Sequence, residues 1–217
     1  MLWKARLPLR EGAAVHFAQV CTFTFQRYRC AMGADMGADM AADDMMNLRH
    51  GSQLRFRWGV EGDYPAVERI NRLSLPGVSR LDPAEFQVLC KLCCYFRVGE
   101  IDGEIVGYLF AMDRAATSYD GEEFQWFCQH VAPAFLYIDQ IAVTPDWRGQ
   151  GLAAAFYRDL AQFSHARSVG QLVCEINKVP PNVPSLRFHE AQGFSEVGDM
   201  DTRGVTVSLR AKVLPSA

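Results

Sequence analysis

The stretch FLYIDQIAVTPDWRGQGLAAAFYRDLAQF, residues 135–163, joins an apolar run to a helix pattern through a turn that contains two glycines. The run FLYIDQIAV at 135–143 predicts a buried strand. The helix pattern rests on apolar residues at i, i+4, i+8 and i+11, namely Leu152, Phe156, Leu160 and Phe163. Gly149 and Gly151 therefore lie where a strand turns into a helix.

This glycine turn combines features that suit an anion. The first turn of a helix presents main-chain N–H groups that have no intrahelical acceptor, together with the positive end of the helix dipole. Gly149 and Gly151 remove the Cβ atoms that would keep an anion away, and Arg148 adds a positive charge. The turn alone is equally compatible with a pyrophosphate site and with a tight connection. It has neither the Gly-Lys-Ser/Thr of a Walker loop nor the third glycine of a dinucleotide fingerprint.

From Leu54 onward the chain alternates between strand and helix patterns. The predicted order is β-α-α-β-β-β-α-β-α-β-β, which indicates an α/β fold of the mixed α+β kind with helices on both faces of a sheet.

Residues 1–50 do not share this alternation of strand and helix patterns. The segment MGADMGADMAADDMM at 32–46 is a near-repeat without helical or strand periodicity. We predict that 1–50 is a disordered or non-native N-terminal extension.

The composition narrows the class of partner. Lys and Arg number 22 against 25 Asp and Glu, a formal net charge of −3, which argues against a nucleic-acid partner. No apolar run reaches the length of about 18 residues that spans a membrane. The seven cysteines include CKLCC at 90–94, which lacks a second Cys/His pair at zinc-finger spacing. We expect no metal, free thiols and a cytoplasmic protein.

Two spaced motifs carry a family resemblance. IAVTPDWRGQGLA at 141–153 resembles the acetyl-CoA-binding segment of the GNAT N-acetyltransferase superfamily, whose loop reads Arg/Gln-x-x-Gly-x-Gly/Ala. NVPSLRFHEAQGFSEVG at 182–198 is similar to the family's Asn-x-x-Ser/Ala-x-x-Leu-Tyr-Glu-x-x-Gly-Phe. The resemblance covers residues 54–213 and implies a GNAT domain there, with a mixed, mostly antiparallel sheet flanked by helices. The layout is similar to uncharacterised bacterial GNAT proteins.

The resemblance implies a binding site for acetyl-CoA as the cosubstrate. Arg148 and the main-chain amides of the loop would bind the pyrophosphate. Main-chain groups of Ile141 and Val143 would pair with the pantetheine arm, and the Val143 amide would face the thioester oxygen as an oxyanion contact. Asn182 would bond the amide arm. The implied set is Ile141, Val143, Arg148, Gly149, Gln150, Gly151, Leu152, Ala153, Asn182 and Ser185.

Acetylation of an amine needs a base, because a primary amine is almost fully protonated at neutral pH. Strand parity places Asp139 on one face with Tyr137, Ile141 and Val143, an apolar setting that raises a carboxyl pKa. Asp139 is the first candidate base, the alternative being a structural carboxylate. Glu175 is the second candidate, the alternative being a solvent-facing side chain.

His189 stands where the family has its tyrosine, the residue that protonates the departing thiolate. An imidazole can donate a hydrogen bond or a proton to sulfur. The alternative is an ordinary packing residue on a helix. His189 is accordingly a candidate general acid.

The resemblance implies that the acceptor lies between the first two helices and the loops at the far sheet edge, here LSLPGVSRLDPAEF at 73–86 and the insert at 113–134. Tyr119, Trp126 and Tyr137 are candidate substrate contacts, since aromatic rings suit a cationic amine; closing the sheet edge is the alternative. The predicted activity is transfer of an acetyl group to an unidentified primary amine by direct attack in a ternary complex. A catalytically inactive CoA-binding module and an enzyme for longer acyl-CoA remain as alternatives, and a homodimer is compatible with the fold.

Overall fold

Eight strands form a single sheet in the computed structural model, which describes residues 44–48 and 51–215. The strands are β1 (Asp44–Asn47), β2 (Gln53–Trp58), β3 (Tyr95–Ile101), β4 (Glu104–Met112), β5 (Phe135–Val143), β6 (Gln171–Val179), β7 (Ser195–Thr202) and β8 (Val205–Val213). Their order across the sheet is β1-β2-β3-β4-β5-β6-β8-β7. Every neighbouring pair is antiparallel except β5 and β6, which run parallel.

In the described part of the chain, five α-helices cover the two faces of this sheet. They are α1 (Tyr64–Arg72), α2 (Pro83–Leu92), α3 (Glu122–His130), α4 (Leu152–His165) and α5 (Val183–Ala191). Asp82 begins α2 as its N-cap, because its Oδ1 accepts a 2.9 Å hydrogen bond from the Glu85 N–H. None of the helices in residues 44–48 and 51–215 has the length and apolar character needed to cross a membrane.

Two apolar cores lie on opposite faces of the sheet. Helices α1, α2 and α3 contribute to one core, which contains Phe86, Phe110, Phe124, Phe127 and Tyr137. Helix α4 contributes to the other core, against which α5 packs Leu186 and Phe188. Burial of so many aromatic rings on both faces fixes the sheet as the rigid frame that holds the site.

Strands β5 and β6 separate along their length. Their ladder covers only Phe135–Tyr137 against Gln171–Val173. The β4–β5 ladder has a bulge at the same level, because Gln140 opposes Phe110 while Ile138 opposes the next residue of β4. Asp139 is therefore an extra residue on β5, and the bulge bends the strand where the two strands part.

The observed order confirms the predicted fold class and adds two elements. Helix α3 lies within the insert at 113–134, where the predicted order has no helix. Its nine residues, EEFQWFCQH, bury Phe124 and Phe127, and a helix of this length is too short to show a helical period in the sequence. Strand β1 pairs with β2 ahead of residue 54, so Asp44–Asn47 is a strand within the range predicted to be disordered. Residues 1–43, 49 and 50 of that predicted range lie outside the described residues.

Candidate functional site

The cleft between β5 and β6 has a volume of about 300 Å³. It is lined by the loop 76–80 between α1 and α2, by residues 138–141 of β5 and 174–177 of β6, and by side chains from α5 and from the turn between β7 and β8. Both faces of the sheet contribute, since Cys174 belongs to the core on the α4 face whereas Asp139 contacts Tyr119 on the α3 face. The cleft therefore connects the two sides of the sheet.

One wall of the cleft is a main-chain edge. The Thr144 N–H donates to the Val106 carbonyl at 2.8 Å, and bonding directions alternate along an antiparallel ladder. The N–H and C=O groups of Ile141 and Val143 therefore point away from β4, toward the gap that β6 leaves. In agreement, the Val143 carbonyl accepts a 3.0 Å hydrogen bond from Nε of Arg148.

The glycine turn forms the entrance to α4. Gly149 and Gly151 have φ values of +74° and +93°, which L side chains rarely adopt. A Cβ built on either glycine meets no heavy atom within 4 Å, so the backbone there faces open space. Intrahelical bonding starts with the Ala155 N–H donating to the Gly151 carbonyl at 2.9 Å. The amides of the preceding turn thus lack an intrahelical acceptor and carry the positive end of the helix dipole.

Arg148 connects this turn to the loop after α1. Its Nη2 donates to the Leu73 carbonyl at 3.2 Å and to the Ser74 hydroxyl at 3.1 Å. These partners are neutral, and no carboxylate in the described part of the chain pairs with Arg148. The guanidinium charge therefore stays available to an anion at the glycine turn.

Two carboxyl groups with raised pKa values line the cleft. Burial raises the pKa of Asp139 to about 6, while a hydrogen bond from the Tyr119 hydroxyl acts in the opposite direction. Burial, with the negative charges of Glu123 and Asp139, raises the pKa of Glu175 to about 8. Oε2 of Glu175 is buried and makes no hydrogen bond within the described residues. Such shifts place a carboxyl group where it can exchange a proton near neutral pH.

His189 is buried at the rim of the cleft with both ring nitrogens occupied. Nδ1 lies 2.8 Å from the Ser185 carbonyl, which can only accept, so Nδ1 carries the proton. Nε2 then accepts from the Tyr157 hydroxyl at 2.6 Å. Burial lowers the pKa of His189 to about 4. The ring is therefore neutral at physiological pH and joins α5 to α4.

The sequence pattern of the Acetyltransferase (GNAT) family matches residues 65–194, more than half of the chain. The chain belongs to the GNAT acetyltransferase family. The match begins at the second residue of α1 and includes β5 and β6, between which the cleft lies, but it ends before the turn between β7 and β8.

Solved GNAT structures share this fold at low sequence identity. Ribosomal-protein-S18-alanine N-acetyltransferase from Escherichia coli matches with a TM-score of 0.59 and 17% identity over 76% of this chain and 96% of that one. Ard1 from Thermoplasma volcanium matches with a TM-score of 0.60 and 15% identity over 75% of this chain and 99% of that one. YncA from Salmonella typhimurium, solved with its cofactor acetyl-CoA, matches with a TM-score of 0.56 and 17% identity over 80% of this chain and 96% of that one. No curated protein sequence matches the chain closely enough to count as a relative.

Two of the GNAT cosubstrate positions predicted from sequence, Ile141 and Ser185, line the cleft, and several of the other side chains make contacts within the protein. Gln150 donates to the Asp146 carbonyl at 2.8 Å. Leu152 is 1% exposed, so only its main chain faces the turn. Asn182 caps α5 by accepting from the Ser185 N–H at 3.3 Å and donates to the Gly77 carbonyl at 3.3 Å. Ser185 itself lines the cleft.

The predicted strand parity of β5 is wrong beyond the bulge. Asp139 shares the α3 face with Tyr137, but Ile141 and Val143 belong to the opposite face. The extra residue at Asp139 reverses the alternation, and the sequence of one strand does not show such a bulge. The main-chain role predicted for Ile141 and Val143 is unaffected, because it depends on the edge of the strand and not on its faces.

For Glu175 the alternative is excluded, since the side chain lines the cleft with Oε2 buried and does not point to solvent. Two other expectations need correction. His189 has no free ring nitrogen with which to act as the predicted acid. None of the three predicted substrate contacts lines the cleft. Tyr119 bonds to Asp139, Tyr137 is buried, and Trp126 stacks on His130 at 4.3 Å and packs against Gly198.

Sequence reasoning singles out neither of two arginines of the cleft wall, Arg80 and Arg203, although Arg80 lies in the stretch 73–86 that is assigned to the acceptor side. The dipeptide Arg203-Gly204 between the runs DMDT and VTVSL is a weak hairpin signal that could have located the second one. Among the described residues no group of His, Cys, Asp and Glu side chains could hold a metal ion.

Proposed function

We propose that this protein is an acetyl-CoA-dependent N-acetyltransferase that acts on a primary amine by direct transfer in a ternary complex. The observation that carries the proposal is the cleft between β5 and β6, where an open main-chain edge lies beside two carboxyl groups. Strand β5 continues through the glycine turn into the N-terminus of α4, where the backbone faces open space. Acetyl-CoA supplies the acetyl thioester. YncA, a structural neighbour, was solved with this cofactor.

The residues at the cleft fit the coenzyme. A Cβ-free turn with positive φ values leaves room for a diphosphate, and Arg148 supplies an unpaired positive charge. The outward N–H and C=O groups of Ile141 and Val143 would extend the sheet by pairing with the amide groups of pantetheine. The Val143 N–H would face the thioester oxygen and stabilise negative charge that develops there.

The carboxyl groups would move the proton of the amine. An ammonium with a pKa near 10.4 must lose its proton before it can attack. Asp139, with a pKa of about 6, is mostly ionised at pH 7.5 and can accept that proton. Glu175, with a pKa of about 8, is still largely protonated there and would act as the base at higher pH or relay the proton. We assign His189 a packing role and no proton transfer.

The proposal is tested by calorimetric titration with acetyl-CoA, followed by measurement of thiol release with a panel of amines. Arg148→Gln should weaken acetyl-CoA binding by about tenfold or more, because it removes a charge-assisted contact. Arg187→Gln, an exposed arginine on α5, is the matched control and should bind as the wild type does.

The same measurements separate the alternatives. Binding of acetyl-CoA without thiol release from any amine would indicate a catalytically inactive CoA-binding module. Release only with a longer acyl-CoA would indicate a different acyltransferase. Absence of binding to CoA in any form would contradict the proposal as a whole.

A further inference from the structure

Two arginines face the cleft from different elements. Arg80 lies on the loop between α1 and α2, and Arg203 lies on the turn between β7 and β8. The carboxyl groups of Asp139 and Glu175 line the same cleft. The cleft wall thus presents carboxyl groups that can meet an amine and guanidinium groups that can meet an anion.

The backbone at Arg203 is unusual for an arginine. Arg203 and Gly204 form a two-residue turn with φ values of +49° and +83°, the type I′ geometry that normally takes Asn-Gly or Asp-Gly. A long side chain at a left-handed position is strained, and such strain is kept where the surroundings fix the residue and often where it has a functional role. Asp102-Gly103, the turn between β3 and β4, has the sequence that this turn type normally takes.

Helix α3 holds this turn in place. Arg203 forms an ion pair with Glu123, whose side chain is only 2% exposed. The neighbouring Thr202 hydroxyl donates to Oε2 of Glu122 at 2.6 Å. Glu123 is a positioning residue, because it orients Arg203 over the cleft from within the protein.

The guanidinium of Arg203 keeps binding capacity after this contact. A guanidinium has five N–H donors, and the bond to Glu123 engages one nitrogen. The Arg203 side chain is still 55% exposed. Arg80 is exposed as well, and within the described part of the chain it makes no hydrogen bond or ion pair. Both arginines can therefore bind a carboxylate of a ligand in the cleft.

We propose that the acceptor is a small amine that also carries a carboxylate, of the amino-acid class, with Arg203 and Arg80 binding the carboxylate and the amine lying at Asp139 and Glu175. This inference rests on the proposed acetyltransferase function and names its substrate class. The cleft of about 300 Å³ is at the small end of ligand pockets, and the acetyl end of the coenzyme must share it. A diamine fits less well, since its second cation would meet two arginines.

The test is calorimetric titration of the protein, saturated with CoA, with each of the common L-amino acids and with its carboxamide. The carboxamide keeps the α-amine and the size but has no anionic charge. A third probe places the same residue at the N-terminus of an amidated tripeptide. Because CoA carries no acetyl group, these titrations report acceptor binding whether or not turnover occurs.

The expected result is that at least one amino acid binds about tenfold or more tightly than its carboxamide. Arg203→Met and Arg80→Met should each reduce this preference, while Arg72→Gln, a helix-surface arginine that is 67% exposed, should retain it. Because Arg203→Met leaves Glu123 buried without its partner, the double variant Glu123→Gln/Arg203→Met serves as a second test, and Arg80→Met changes only an exposed loop residue.

Three results would overturn the inference: no amino acid preferred over its carboxamide, a preference unchanged in both arginine variants, or the amidated tripeptide binding as tightly as the free amino acid. The proposed function fails on a different observation, namely absence of thiol release from acetyl-CoA with every amine. The two failures are therefore distinguishable.

Discussion

The Tyr119 hydroxyl donates a hydrogen bond to Oδ1 of Asp139 and so connects the loop ahead of α3 to the bulge of β5. Burial raises the pKa of Asp139, and this hydrogen bond opposes the rise because it stabilises the charged carboxylate. The balance leaves the pKa at about 6. The contact between these two residues therefore sets the pH range in which Asp139 can accept a proton.

Replacing Tyr119 with Phe should raise the pKa of Asp139 above about 6. The variant removes the donor that favours the ionised form and leaves the apolar surroundings unchanged. We expect the acidic limb of the pH profile of kcat/KM to move upward by about one unit. Tyr64→Phe, which alters a half-buried tyrosine of α1 that is not part of the cleft wall, is the control. An unmoved limb in Tyr119→Phe would exclude Asp139 as the titrating base.

Replacing Glu175 with Gln should stabilise the protein increasingly as pH rises. The pKa of Glu175 is about 8 in the folded state and near its ordinary value of 4.5 in the unfolded state. Between these values the folded state binds the extra proton, so wild-type stability falls with rising pH. Each unit of pKa difference corresponds to about 1.4 kcal/mol.

The measurement is urea unfolding of wild type and Glu175→Gln between about pH 5 and pH 9. The difference in free energy of unfolding should grow through this range and level off above about pH 8. Glu190→Gln, an exposed carboxyl of α5, should show no such trend. A constant difference across the range would mean that Glu175 ionises normally in the fold.

The sequence predicts the strand, the glycine turn and the helix of the proposed cosubstrate site correctly, because these elements are local. Gly149, Gly151 and Arg148 lie within four consecutive residues, and the strand and helix on either side have clear periods. Turn chemistry and hydrophobic period are properties of a short segment. The structure accordingly has the strand, turn and helix where the sequence places them.

The proposed acceptor side depends on contacts between distant segments, which one sequence does not show. The bulge at Asp139 exists because β4 pairs with β5 on both sides of it. The position of Arg203 depends on Glu123, 80 residues earlier in the chain. His189 occupies a position where the family has tyrosine, but its partner Tyr157 lies on another helix. A local sequence pattern can point to such a residue, but it does not show the distant partner that determines the residue's role.

Replacing Gly151 with Ala should weaken CoA binding and destabilise the protein. With φ at +93°, a side chain at this position costs about 1–2 kcal/mol. Its Cβ would also lie in the open space before the amides of α4, where the diphosphate is proposed to bind. We expect the Kd for CoA to rise about tenfold, as measured by calorimetry.

Gly170→Ala is the matched control for this substitution. Gly170 is exposed, a Cβ there meets no atom within 4 Å, and its φ is not positive. This variant should keep the wild-type Kd for CoA and the wild-type free energy of unfolding. Equal CoA affinity in Gly151→Ala and the wild type would remove the glycine turn from the binding site.

Replacing His189 with Phe should lower stability with little effect on turnover. The substitution leaves the buried Tyr157 hydroxyl without its acceptor, which costs about 1–3 kcal/mol. In the double variant Tyr157→Phe/His189→Phe both polar partners are gone, so the loss should be clearly smaller than the sum of the two single losses. Urea unfolding of the four proteins measures this coupling.

The same substitution should have little effect on kcat, because the imidazole of His189 is neutral and both its nitrogens are bonded. In the folded single variant kcat should stay within about threefold of the wild type, a change in activation free energy below about 0.7 kcal/mol. A much larger fall in kcat, with the affinity for acetyl-CoA unchanged, would restore His189 as the proton donor and require the Tyr157 bond to break during the reaction.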